Sequence, residues 1–92
     1  MADVVITLKI MPESPESDLS SIEKMAKKEI EYFAGKSEFR VSVEPVDFGL
    51  KSLSIKFVMN ESKGSTEKLE GKIRSIKNVS SVEVVDVRRA IG

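Results

Sequence analysis

Carboxylates, lysines and one tyrosine, Tyr32, are the groups with which this 92-residue chain could move a proton or hold a metal. It contains no histidine and no cysteine. Disulfides and thiolate or imidazole zinc sites are therefore ruled out, and so are Ser-His-Asp and Cys-His relays. A carboxylate-only Mg²⁺ site stays open, since carboxylates lie along the whole sequence, but no spacing marks one. No nucleophile converges on a base. The chain is not expected to be an enzyme, and neither a cofactor nor a metal site is assigned.

Two short stretches draw the eye instead. In "EPVDFGLKSLSIKF" an aromatic, Phe48, stands beside Gly49 between two strand-like runs. Hairpins more often turn on Asn-Gly or Asp-Gly, because those residues tolerate positive φ. Gly49 supplies the φ that such a turn needs. Phe48 either folds back to close the core or is held out for a partner, as aromatics at interface hot spots are. Near the C-terminus stand Arg88 and Arg89, which on composition alone read as solvated charges.

The elements that must position these residues follow from periodicity. "DVVITLKI", Asp3 to Ile10, alternates Val4, Ile6, Leu8 and Ile10 with Val5, Thr7 and Lys9, the pattern of a strand with one strongly apolar face. "MPESPES" is a loop, and Ser17 or Asp18 caps a helix running from about Asp18 to Ala34. Its stripe is Leu19, Ile22, Met25, Ala26, Ile30 and Phe33, with Lys24, Lys27, Lys28 and Glu31 on the solvated side. Gly35 sits where a left-handed C-terminal cap is wanted.

"EFRVSVEPV" is a second strand, and Pro45, lacking an N–H, marks a sheet edge or a strand end. "LKSLSIKFVM" is a third, with Leu53, Ile55, Phe57 and Met59 on one face. A second helix is expected from Ser65 or Thr66 to Lys77, with stripe Leu69, Ile73 and Ile76, and Asn78 ending it. Gly71 inside it costs on the order of 1 kcal/mol against alanine, which a close approach of helix to sheet would explain. The last strand, "VSSVEVVDV", sets Val82 and Val84 against Glu83 and Val85.

The order β-α-β-β-α-β, with no linker, predicts one domain over residues 1–92. Laying both helices on one face of a four-stranded antiparallel sheet buries its apolar side. Right-handed crossovers give the α+β, ferredoxin-like arrangement with strand order 4-1-3-2. That layout gathers "MPESPES", the Phe48 turn and the Lys77-Asn78 link at one end, and sends Arg88 and Arg89 to the other.

Charge and composition narrow the partners. Basic and acidic residues balance at 15 each, so no bulk charge draws nucleic acid. An RNA-recognition sheet would need exposed aromatics on its central strands, and the first strand has none. A Cys-x-x-Cys metal loop is absent. No apolar run reaches the roughly 20 residues of a membrane span, and the N-terminus does not resemble a signal peptide. A cytoplasmic protein without a membrane or direct nucleic-acid partner is expected. Because the fold hosts many functions, a small-effector-binding regulatory domain is an alternative reading.

"LKIMPESPESDL", "EPVDFGLKSLSI" and "SVEVVDVRRAIG", in this order and at this length, resemble the archaeal branch of the translation elongation factor 1-beta family over essentially the whole chain. Pro45, Phe48, Gly49 and Leu50 match the family's turn, and Asp86 and Val87 its terminal strand. The resemblance implies a ferredoxin-like fold and a guanine nucleotide exchange factor for the GTPase elongation factor 1-alpha. It implies partner-binding residues Phe48, Gly49 and Leu50 in the turn, and Arg88, Arg89 and Ile91 in the tail. Eukaryotic relatives carry a lysine close to the C-terminus that approaches the Mg²⁺ site, whereas this tail reads "RRAIG". Arg88 or Arg89 would substitute for it, or the metal would leave by another route.

Overall fold

Pleating sends successive side chains to opposite faces, so the alternation of β1, Asp3–Pro12, buries Ile6, Leu8 and Ile10 on one side and turns Val5, Thr7 and Lys9 to the other. The computed structural model describes residues 3–36 and 38–89. After β1 come α1 (Leu19–Ala34), β2 (Arg40–Pro45), β3 (Lys51–Asn60), α2 (Glu67–Arg74) and β4 (Val79–Arg89). Single 3₁₀ turns lie at Asp47–Gly49 and Glu61–Lys63. The strands form one antiparallel sheet in the order β2-β3-β1-β4, which is the expected ferredoxin-like topology. Edge strand β2 ends on Pro45, where no ladder N–H is lost.

Both helices lie on the apolar face. Ile22, Ala26 and Ile30 of α1 and Leu69 and Ile73 of α2 join Leu8, Ile10, Leu53, Ile55, Phe57 and Met59 in the core. Asp18 caps α1, its carboxylate accepting from the N–H groups of Ser20 and Ser21 at 3.0 and 3.3 Å. Among the described residues no helix is long and apolar enough to cross a membrane.

Several expectations need correction. Met25 is exposed, because at 100° per residue it falls well outside the arc holding Ile22, Ala26 and Ile30. Helix α2 stops at Arg74 rather than Lys77. Ile76 stays buried because a turn continues the chain, with the Ile76 N–H donating to Ile73 O at 3.0 Å. Asn78 then takes φ 73° to enter β4. Gly35 has the positive φ expected of a cap, 85°, but its ψ of 176° is extended rather than left-handed helical.

No close approach explains Gly71, since a Cβ built there meets nothing within 4 Å. Strict alternation also fails in β4. Thr7 faces Asp86 while Leu8 faces Val84, so Val85 is an extra, bulged residue. Beyond it Val87 lies opposite core-facing Ile6, and Asp86 opposite outward-facing Thr7.

Candidate partner-binding surfaces

Phe48 does not close the core. Its side chain is 91% exposed, on a turn whose Val46 N–H donates to Leu50 O at 2.8 Å. Its backbone has φ 63° and ψ 28°, in the left-handed region. For a residue with a Cβ this costs about 1–2 kcal/mol, and for a bulky one it is an outlier. Gly49 follows at φ 73°, as the turn requires. Leu50 is half-buried at the start of the return strand. The tip therefore presents an aromatic ring at a conformational cost that no contact of the ring with the core offsets.

The β1–α1 loop lies beside this turn. A Cβ at Gly49 would sit 4.0 Å from Pro15 Cγ in the β1–α1 loop. That loop is closed on itself by the Ser17 N–H donating to Ser14 O and the Ser14 N–H donating to Ser17 Oγ. The Glu13 N–H reaches Asn78 O at 2.8 Å, which ties in the α2–β4 link. The three loops expected to meet at one end do so.

Arg88 and Arg89 lie at the opposite end. They pair with Val5 and Val4, whereas the Phe48 turn joins Pro45 to Lys51. The length of β3 separates the two ends by about 30 Å at roughly 3.4 Å per residue. Because of the bulge, Arg88 shares the open face with Val5, while Arg89 is on the helix side with Val4. Each is held at the surface by a carboxylate: Arg88 Nε by Asp86 Oδ2 at 3.0 Å, and an Arg89 terminal nitrogen by Glu61 Oε2 at 3.2 Å. Ile91 lies outside the described residues. The structure thus brings Phe48, Gly49 and Leu50 together and keeps them apart from the arginines.

Tyr32 is on the exposed side of α1, with the Lys72 ammonium 4.9 Å from its ring centroid. Among the described residues no three acidic side chains gather to hold a metal ion. Sequence reasoning missed that Phe48 itself takes positive φ, for which an aromatic gives no signal. It also missed the Val85 bulge, although the Val84-Val85 doublet breaks the alternation and could have revealed it.

Known proteins share both the sequence and the fold. Residues 5–90 match the family model described as the EF-1 guanine nucleotide exchange domain. Elongation factor 1-beta of Methanothermobacter thermautotrophicus is 40% identical over 89 residues, covering 97% of this chain and 98% of that protein. Its counterpart in Methanosphaera stadtmanae is also 40% identical with the same coverage, and that of Thermoplasma acidophilum is 32% identical, covering 95% and 97%.

Among solved structures, a de novo designed protein, Foldit4, superposes with TM-score 0.62 at 19% identity, covering 98% of each chain. The ACT domain from GTP pyrophosphokinase of Chlorobium tepidum gives 0.55 at 20% identity, covering 90% of this chain and 99% of that one. At such identities these two structures bear on the fold alone. The sequence matches bear on more, and by them the chain belongs to the family of EF-1 guanine nucleotide exchange domains, which are exchange factors rather than enzymes.

Proposed function

We propose that this chain, acting as one unit, promotes GDP release and GTP reloading on translation elongation factor 1-alpha. The observation that carries the reading is the Phe48 ring, exposed on a strained turn at one end of the sheet. Large exposed aromatics are favoured as interface anchors, which suits a group that must displace something in its partner. Gly49 and Leu50 shape the same tip. Arg88 and Arg89 form a second contact at the far end, and the family resemblance adds Ile91 to the partner-binding residues.

A GTPase of this type holds GDP through phosphates on its P-loop and through Mg²⁺. A wedge that displaces the metal site or the switch region raises the nucleotide off-rate, and abundant GTP refills the site. Linkage makes the effect reciprocal, so the nucleotide weakens the exchange factor by the same factor. Arg88 or Arg89 then acts where eukaryotic relatives use a near-terminal lysine. A planar guanidinium differs in shape and hydration from an ammonium, so the tail engages its target by a different geometry. The reading implies a cytoplasmic protein.

The test is the release rate of a fluorescent GDP analogue from elongation factor 1-alpha of the same organism, with and without this protein. Acceleration at substoichiometric amounts supports the reading. Unchanged release in the presence of folded protein contradicts it.

A further inference from the structure

We propose that two copies of this chain pair through the outer edge of β4, in one register that the Val85 bulge selects. At 11 residues β4 is the longest strand, and it ends the sheet. Among the described residues no strand pairs with its outer edge. The other edge strand, β2, offers 6 residues and ends on Pro45, a short, proline-marked form that resists pairing. β4 holds neither proline nor lysine, and its Val85 and Val87 are 48% and 57% exposed.

The bulge interrupts this edge, but it sets the register rather than forbidding one. Facing side chains of paired strands lie on the same face of a sheet. Val82, Val84, Val87 and Arg89 stand opposite Ile10, Leu8, Ile6 and Val4, on the helix side. Glu83 and Arg88 stand opposite Lys9 and Val5 on the open side, where Val85 and Asp86 also lie. A two-fold axis between Val85 and Asp86 sets Val85 against Asp86 of the second copy, Glu83 against Arg88, Val84 against Val87 and Val82 against Arg89. Each of these pairs keeps to one face. Moving the axis by half a residue or a whole residue either way opposes side chains from different faces.

The chemistry of the facing residues agrees with that register. Glu83 has no ion pair among the described residues. Arg88 holds Asp86 through Nε, so its terminal nitrogens can reach Glu83 of the second copy. Opposite charges directly across two strands stabilise the pairing, and the two-fold axis makes each such contact twice. Val84 against Val87 covers an exposed valine. The pairing does not involve Phe48, and it does not depend on the exchange reading.

The test is sedimentation equilibrium of the whole chain from micromolar to millimolar concentration, with amide shifts of the ¹⁵N-labelled protein over the same range. A mass rising toward that of two chains is expected, with shifts along β4 rather than β2. Glu83→Arg and Arg88→Glu, each alone, should weaken self-association by about tenfold or more, while dispersed amide spectra establish that each variant is folded. Mixed in equal amounts, the two variants should associate again, because each facing charged pair is then Arg with Glu. The mass of one chain throughout the range, shifts confined to β2, association undiminished in either variant, or a mixture that associates no better than its components overturns the proposal.

Discussion

Phe48 and Gly49 adopt left-handed backbone conformations in succession, φ 63° and 73°, so that the residue ill suited to that region is the one that carries the exposed ring. Glycine enters this region freely, whereas phenylalanine does so at a cost. No packing against the core accounts for an aromatic at this position, and the anchoring role proposed above would. Phe48→Ala should accordingly change stability by no more than about 0.5 kcal/mol, as other exposed positions do. Phe48→Gly should stabilise by up to about 1 kcal/mol by relieving the strained φ. Denaturant melts of the two variants check both values. A loss of roughly 3 kcal/mol, the cost of an aromatic taken from a core, would show that the ring packs internally.

Gly71 offers the converse case. It sits within α2, and an added Cβ meets no atom within 4 Å. Gly71→Ala should stabilise by about 1 kcal/mol, which raises the melting temperature by roughly 4–8 °C in a domain of this size. Thermal unfolding followed by circular dichroism measures it.

Thr7→Val removes a buried hydroxyl that has no partner and keeps the side-chain shape. The variant should gain about 1 kcal/mol, with valine also favoured in a strand. A loss of stability in the same melt would mean that the hydroxyl is satisfied in solution.

The ion pairs of Arg88 with Asp86 and Arg89 with Glu61 are largely exposed. Arg88→Ala and Arg89→Ala should each cost less than about 1 kcal/mol of stability. Together they should slow nucleotide exchange by about tenfold or more, with the remaining rate less sensitive to salt than that of the unaltered protein. Exchange rates measured over a range of salt concentrations test this.

Much of the fold was legible because its signals are local. Ile6, Leu8 and Ile10 alternate with outward residues, Asp18 precedes a helical stripe, and Pro45 marks an edge; each can be read within a few residues. What was not legible depends on contacts distant in sequence. Ile76 continues the apolar rhythm of α2 although the helix has ended, because burial and not helical geometry keeps it inside. Arg40, Lys56, Thr7 and Asp86 form a row only once all four strands are registered. The bulge at Val85 decides which face Arg88 and Arg89 each take.

Of the candidate site, the location of Phe48 opposite the arginines followed from topology. Its exposure did not, because periodicity does not say which way a turn residue points. Its left-handed φ did not either, since only the turn's closing hydrogen bonds impose it.

The most direct test compares unaltered protein with Phe48→Ala at equal folded concentration in the release of fluorescent GDP from elongation factor 1-alpha. Strong acceleration by the first and a loss of at least about tenfold by the second, with matching melting curves, is the outcome predicted for an anchoring ring, corresponding to about 1.4 kcal/mol or more of binding free energy. Equal acceleration by both proteins would contradict the role assigned to Phe48.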